Sequence, residues 1–233
     1  MAKRPGGQLA ARPLHFFWLA DCSGSMQSDG KIQSLNQAIR EAIPHMKKVA
    51  EDNPNASVLV RALAFGEKAF WHLKEPTPVM QFSWKDLSAA GVTAMGEALE
   101  LLAEQLQIPP MDERALPPVL VLISDGLPTD DFQSGINTLM ALPWGRKAVR
   151  IAVAIGSDAN LPILQKFIGN TGLKPMQANN TEALSKHIRW ASTAVLKAAS
   201  SPHSQSKEED GFVGINVLIQ TPFEEDFSVG DVW

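Results

Sequence analysis

The sequence predicts an α/β fold, a doubly wound, mostly parallel sheet flanked by helices on both faces. Short apolar runs alternate with longer segments in which apolar residues recur every three or four positions, the pattern of strands alternating with helices. The most apolar run, PPVLVLIS, lies between prolines and SDG, as expected for a central strand buried on both faces. A chain of 233 residues with 45% hydrophobic content suits one such domain plus an appendage.

The first half of the chain is predicted to hold strands on either side of one long helix. Residues 15–20 form the first strand, and a helix covers about 31–52, which Pro44 should kink or divide. The run SVLVRALAF predicts the second strand. Weaker candidates for short or edge strands follow at 69–73 and 79–82, because prolines separate them.

The second half alternates more regularly between the two element types. A helix over 95–107 stops before two prolines, and the central strand follows within 117–124. Thr181 is the expected N-cap of the last helix. The remaining elements are a helix over 132–142, a strand over 149–155, a short helix over 160–169, an edge strand over 174–178 and a long helix over 181–199.

Composition divides the chain into four segments. We predict an N-terminal arm over residues 1–12, the α/β domain over 13–199, a linker over 200–211 and a C-terminal extension over 212–233. The linker, SSPHSQSKEEDG, has almost no apolar content. The extension holds a strand-like run at 215–219 and then an acidic, aromatic tail.

Charge and cysteine content exclude several classes of function. The chain has 25 acidic and 21 basic side chains, a net charge of -4, which argues against binding nucleic acid as a bulk polyanion. The single cysteine excludes an internal disulfide and favours a reducing compartment. We find neither a signal peptide nor an apolar run long enough to span a bilayer, so we expect a cytoplasmic protein without membrane insertion.

Oxygen-bearing side chains gather at three predicted strand ends and loops. The segment DCSGSM, directly after the first strand, contributes Asp21, Ser23 and Ser25. Thr93 lies in AAGVTAMG just before a helix, and Asp125 ends the central strand in LISDG. Open α/β sheets bind ligands at this edge. Carboxylates and hydroxyls suit a hard divalent cation, so the sequence predicts a site for Mg²⁺, with Mn²⁺ or Ca²⁺ as alternatives.

These three segments resemble the metal-ion-dependent adhesion site of von Willebrand factor A (VWA) domains. The family pattern is an Asp-x-Ser-x-Ser loop, a distant Thr and a distant Asp, and the resemblance covers about residues 13–199. SDGLPTD and the lack of cysteine-rich elaboration make the chain similar to the bacterial, tellurium-resistance-associated TerY-like branch. All five positions of the pattern are matched, by Asp21, Ser23, Ser25, Thr93 and Asp125.

The resemblance implies metal-dependent protein binding without catalysis. The two serines would ligate the metal directly, Thr93 directly or through water, and the two aspartates largely through water. A partner's Asp or Glu would complete the coordination. The TerY-like branch further implies an adaptor or scaffold in a bacterial signalling module with a Ser/Thr kinase and a PP2C-type phosphatase, linked to stress or tellurite resistance.

Alternative interpretations remain for the individual features. The DxSGS loop on its own is typical of a helix N-cap, and SDG on its own is typical of a turn. Cys22 is expected to be a packing residue, and the histidines show no spacing that suits zinc. A stress-related subunit of an ATPase or of a membrane-associated complex is a third function.

The competing enzyme is a Mg²⁺-dependent phosphohydrolase of the haloacid-dehalogenase type. Such enzymes place a nucleophilic Asp at the end of an N-terminal strand, but they need a second Asp two positions later as general acid. Ser23 occupies that position. The acidic tail over 221–233 could dock into a partner, or present a carboxylate to the metal of a second copy in a self-association.

Overall fold

The computed structural model of the protein describes residues 11–199. Residues 1–10 of the predicted arm, the linker over 200–211 and the extension over 212–233 with its strand-like run lie outside the described residues. Within the described range the strands are β1 (Arg12–Asp21), β2 (Ala56–Phe65), β3 (Ala69–Pro78), β4 (Val119–Ser124), β5 (Val149–Ile155) and β6 (Met176–Ala178). The helices are α1 (Lys31–Glu51), α2 (Met95–Gln105), α3 (Phe132–Ala141), α4 (Pro143–Lys147), α5 (Leu161–Ile168) and α6 (Thr181–Ala199).

The six strands form one sheet in the order β3-β2-β1-β4-β5-β6. All neighbouring strands are parallel except β2 and β3. The chain leaves β1 toward one edge and later moves toward the other, and right-handed crossovers then place helices on both faces. Helix α1 packs against α6, and α2 packs against α3. The predicted doubly wound α/β fold is therefore confirmed.

The first strand lies at the centre of the sheet, between β2 and β4. From Leu14 to its end every residue of β1 is buried, and Trp18 and Phe16 are among the largest fully buried side chains. The neighbouring strand β4 is buried along its whole length. This apolar centre fixes the carboxyl ends of β1 and β4 side by side, and both predicted acidic site residues lie at those ends.

Two predictions that involved proline need correction. Pro44 does not divide the first helix, because α1 runs unbroken through it. The prolines at 76 and 78 do not end a short strand either, since β3 continues to Pro78. An edge strand tolerates proline because its outer N–H groups need no partner in the sheet. The predicted strand at 79–82 is instead a single 3-10 turn over Val79–Gln81.

The expected N-cap of α6 was also wrong by one residue. Asn180 caps the helix, since its Oδ1 accepts a hydrogen bond from the Ala183 N–H at 2.8 Å. The hydroxyl of Thr181, already helical, lies 2.9 Å from the Ser34 Oγ of α1. The short helix α4 was not predicted. It starts at Pro143, and the buried guanidinium of Arg150 binds its Gly145 carbonyl at 2.8 Å.

The other elements agree with the predictions to within a few residues. The strand predicted at 174–178 shortens to the three residues of β6. Among the helices that the structure describes, none has the length and apolar content needed to cross a bilayer.

His15 is a buried titratable group in the centre of the sheet. Its side chain is 4% exposed, and its Nδ1 has no hydrogen-bond partner among the described residues. Burial, reinforced by the positive charge of Arg61, lowers the pKa of His15 to about 4, although Asp112 opposes this shift. The folded protein therefore keeps this imidazole neutral at pH values where the unfolded chain takes up a proton.

We expect His15 to make the domain acid-sensitive. The stability that the neutral imidazole contributes is complete above pH 6.5 and is lost as the pH falls toward 4, because only the unfolded chain then binds the proton. When the pH falls from 7.5 to 4.5, the free energy of unfolding of the wild type should fall by about 2 to 3 kcal/mol more than that of His15→Leu, as measured in urea titrations. The exposed His45→Leu is the control and should follow the wild type; an unchanged acid response in His15→Leu would contradict the prediction.

Candidate metal centre

Asp21 ends β1 with its carboxylate completely buried. Its Oδ1 accepts a hydrogen bond from the Ser23 N–H at 2.8 Å, and its Oδ2 accepts one from the Ser124 Oγ at 2.5 Å. Burial, opposed by the hydrogen bonds and supported by the negative charge of Asp125, raises the pKa of Asp21 to about 6. A cation placed here would favour the ionised carboxylate, which burial disfavours.

The two serines of the loop connect Asp21 with Asp125 on the neighbouring strand. The Oγ atoms of Ser23 and Ser25 lie 3.0 Å apart, and Ser25 Oγ donates to Asp125 Oδ1 at 2.7 Å. The N-cap interpretation of this loop fails for Ser23. It precedes the 3-10 segment over Gly24–Gly30, but its side chain makes no capping hydrogen bond. These hydroxyls therefore face each other and the carboxylates.

Thr93 reaches the site on a long loop that α1 and the serine loop hold in place. The carboxamide of Asn36 on α1 accepts hydrogen bonds from the Trp84 Nε1–H and the Leu87 N–H, and it donates to the Leu87 carbonyl, each at 2.9 Å. Further along, the Gly24 N–H donates to the Gly91 carbonyl at 2.8 Å. These contacts fix the loop immediately before Thr93.

The segment after β4 holds Thr93 from its other side. The Thr93 N–H donates to Thr129 Oγ1 at 3.1 Å, and the Thr129 N–H donates back to the Thr93 carbonyl at 2.9 Å. The next residue, Asp130, accepts hydrogen bonds from the Gly96 and Glu97 N–H groups at 2.8 Å each. Asp130 thus caps α2 from a distance, in place of the missing side-chain cap at Ala94.

Gly126 leaves room between the hydroxyls. A Cβ at this position would lie 3.7 Å from Thr93 Oγ1 and 3.9 Å from Ser25 Oγ, so both oxygens face the same small space. The Thr93 side chain is buried, yet its hydroxyl makes no hydrogen bond to any residue in the described part of the chain. A side chain at 126 would fill this space, and glycine keeps it open.

Lys31, the first residue of α1, adds a positive charge to the centre. Its Nζ lies 3.0 Å from Asp125 Oδ2 and 3.5 Å from Asp158 Oδ1. The lysine and Asp125 side chains are 7% and 1% exposed, whereas that of Asp158 is 77% exposed. Burial alone lowers the pKa of Lys31, but the hydrogen bonds and charges of the two aspartates outweigh it and raise the pKa. The ammonium therefore neutralises the buried Asp125.

The residues that position the predicted ligands were not predicted from the sequence. For Lys31 there was a signal, since a cation at the first turn of a helix opposes the helix dipole and needs a local reason. For Ser124 the signal was its place directly before Asp125. Nothing in the local pattern indicated that Asn36 would hold a loop about 50 residues away.

The donor set fits a hard divalent cation. All five predicted side chains lie in this region, and the closest contacts among them are between oxygens. Softer metals lack suitable ligands here, because no group of three or more His, Cys, Asp or Glu side chains that could hold a metal occurs among residues 11–199. Cys22 is buried, and burial raises the pKa of its thiol to about 11, which agrees with a packing role. The role of the five side chains as ligands stays a prediction.

Comparison with solved structures identifies the fold. The chain is similar to a von Willebrand factor type A protein from Catenulispora acidiphila, with a TM-score of 0.57 and 18% identity over 79% of this chain. The chain has the fold of a von Willebrand factor type A domain. The ArnB paralog VWA2 from Sulfolobus acidocaldarius gives a TM-score of 0.57 at 18% identity over 77% of this chain. Proximal thread matrix protein 1 from the mussel byssus, with a zinc-occupied MIDAS motif, gives 0.55 at 17% over 80%.

These comparisons show a shared VWA fold and nothing further. The chain spans 42%, 45% and 46% of the length of these three proteins, less than half of each. The sequence matches no family model, and it matches no curated protein.

The ion pair between Lys31 and Asp125 provides a test of the electrostatics of the centre. In metal-free buffer, Lys31→Met should lower the free energy of unfolding by about 3 to 5 kcal/mol, because it leaves a buried carboxylate without its partner. Lys31→Met combined with Asp125→Asn should recover most of that loss. Urea unfolding measures both, with the exposed Lys68→Met as control. A loss as small as that of the control would show that the pair is not needed.

Proposed function

We propose that this VWA domain binds a divalent cation at Asp21, Ser23, Ser25, Thr93 and Asp125 and uses it to bind a protein partner. The observation that carries the proposal is the convergence of these side chains, from three separate loops, around the space that Gly126 leaves open. Two buried carboxylates share this region, and Lys31 compensates only one of them at hydrogen-bonding distance. A dication would compensate the other.

The ion and the partner would share the coordination. The serines would ligate the ion directly, Thr93 directly or through water, and the aspartates largely through water, which leaves a position for an Asp or Glu of the partner. The bound cation would supply a Lewis-acidic attachment point for that carboxylate. We propose Mg²⁺ as the physiological ion because the donors are all oxygens. The zinc in the mussel protein's MIDAS motif supports divalent binding in this fold.

We expect the hydroxyls of the centre to be necessary for cation binding. Ser23→Ala and Thr93→Val should each weaken Mg²⁺ or Mn²⁺ binding at least tenfold in calorimetric titrations, because each removes an oxygen donor that the apolar replacement cannot supply. Ser28→Ala is the matched control, since Ser28 is an exposed hydroxyl of the same loop that is absent from the predicted ligand set. Undiminished binding in both site variants, with intact circular dichroism spectra, would contradict the proposed site.

The rim of the centre has the character of a protein-binding surface. Val92, beside Thr93, is 52% exposed, and Leu127, two residues after Asp125, is 58% exposed. Large apolar side chains exposed next to a charged centre suit a partner that brings a carboxylate together with apolar contacts. We infer that the domain binds and does not catalyse. The phosphohydrolase alternative would need an acid at the position of Ser23, whose hydroxyl instead pairs with Ser25.

For the partner, we propose a bacterial Ser/Thr kinase or PP2C-type phosphatase module in which this chain is the adaptor. The support is the resemblance of DCSGSM and SDGLPTD to the TerY-like, tellurium-resistance-associated branch. A cytoplasmic location accords with the single free cysteine, buried in the described structure.

Partner capture should depend on both the cation and the apolar rim. In pull-downs from lysate of the source cells, chelator should release the partner, and Leu127→Asn should weaken its capture severalfold without changing Mg²⁺ affinity, because it adds no charge beside the cation. Ile108→Asn is the control, because Ile108 is 50% exposed and lies outside the segments that build the centre. Kinase and phosphatase assays on the retained fraction test the partner class. Capture that survives both chelator and Leu127→Asn would contradict the proposed mode of binding.

A further inference from the structure

Helices α1 and α6 enclose a groove of about 580 Å³ that plays no part in the metal centre. Its apolar lining comes from Val49 and Trp190, both partly buried against the core. Cationic side chains and one histidine surround this apolar lining, and Asp52 is the single acidic residue among the described residues that line the groove. The ionisable residues of the lining are His45, Lys48, Asp52, Lys186, Arg189 and Lys197. The groove therefore suits a ligand with both negative charge and apolar anchors.

The groove lies far from the metal centre. Lys31 begins α1 at the centre, and Lys48 follows 17 residues later on the same helix. At 1.5 Å per residue this separation is about 25 Å. An occupant of the groove would therefore leave the metal centre accessible.

The chain itself contains a segment of the required chemistry. Residues 200–233 carry seven of the 25 acidic side chains but only one of the 21 basic ones, whereas residues 11–199 have equal numbers of each. Within this segment, residues 221–233 contain no lysine or arginine. They alternate acidic residues with apolar ones, namely Glu224, Glu225, Asp226 and Asp231 with Phe223, Phe227, Val229, Val232 and Trp233.

The connection permits this segment to reach the groove. Helix α6 ends at Ala199, two residues after Lys197, which lines the groove. The intervening residues 200–220 could span roughly 70 Å if extended, more than the length of α1. For a tether of about this length, the effective concentration would be on the order of millimolar. A segment that binds with a dissociation constant of about 100 μM would then be docked about nine-tenths of the time.

We propose that residues 221–233 dock, within the same chain, into the groove between α1 and α6. The carboxylates of the segment pair with Lys48, Arg189 and their neighbours, and its aromatic residues pack on Trp190 and Val49. This assignment rests on the charge and apolar character of the groove and is independent of the proposed cation.

Zero-length carbodiimide cross-linking of the full-length chain, with mass spectrometry, tests this docking. Amide links should form between the carboxylates of residues 221–233 and Lys186 or Lys197. We expect their yield to exceed at least tenfold that of links from the same carboxylates to Lys74 or Lys166, which are exposed lysines outside the groove. Equal yields at all four lysines would overturn the proposal.

A charge reversal and its rescue separate specific docking from general attraction. Lys48→Glu with Arg189→Glu should lower the groove links at least tenfold, and adding Glu224→Lys with Glu225→Lys should restore those made by Asp226 and Asp231. Lys74→Glu with Lys166→Glu, the control of equal charge change, should leave them unaltered. Circular dichroism establishes that each variant is folded. Links that persist in the groove variant, or equal loss in the control, would overturn the proposal.

Isotope mixing distinguishes one chain from two. When ¹⁵N-labelled and unlabelled chains are mixed at micromolar concentration, the groove links should join peptides of the same label. Links between labelled and unlabelled peptides in the proportion expected for free exchange would show that the groove receives the segment of a second copy, and would overturn docking within the chain.

Discussion

Two buried carboxylates at the ends of neighbouring central strands are the constraint on which the arrangement of this domain depends. Asp21 ends β1 and Asp125 directly follows β4, two neighbouring strands that are buried along nearly all of their length, so the apolar centre of the sheet that stabilises the fold also withdraws both from water. Burying a carboxylate is costly unless hydrogen bonds or a positive charge compensate it. The hydroxyl of Ser124, the ammonium of Lys31 and the Ser25 hydroxyl are the compensation that the chain itself provides.

The buried charges of the two carboxylates are compensated unequally, and this difference is what would favour a cation at the site. Asp125 has a lysine at hydrogen-bonding distance, whereas the donors to Asp21 among the described residues are neutral, and burial raises the pKa of Asp21 to about 6. A buried carboxylate without a positively charged partner, beside several hydroxyl oxygens, would be stabilised by a cation. Under the proposed function, the domain gives up stability in the metal-free state for the capacity to bind an ion, a cost typical of functional sites.

The sequence predicts this fold well because the fold depends on local patterns, and the same patterns place Asp21 and Asp125 at strand ends. Apolar runs identify β1 and β4, and Asp21 and Asp125 follow them directly, so the sheet alone brings these residues together. Thr93 belongs to a loop whose path depends on Asn36, which binds it through contacts distant in sequence. Neither hydrophobic periodicity nor a helix-capping motif in the sequence reveals such contacts. At Pro44, helix α1 packs against α6 and continues through the proline. The error at Thr181 has a different cause, because the adjacent Asn180 is an equally suitable N-cap and the local pattern does not decide between them.

The charged side chains form two surfaces of opposite sign, which the net charge of the chain does not reveal. The described part of the chain has as many acidic as basic side chains, and α1 links an anionic centre at its first turn to a cationic groove near its last. These two surfaces carry opposite charge and lie about 25 Å apart on one helix, so one short ligand cannot contact both. The proposed metal centre would bind a carboxylate through a cation, whereas the groove would attract carboxylates directly. An acidic segment held in the groove would therefore be kept away from the metal centre, which leaves the cation for the acidic residue of a partner.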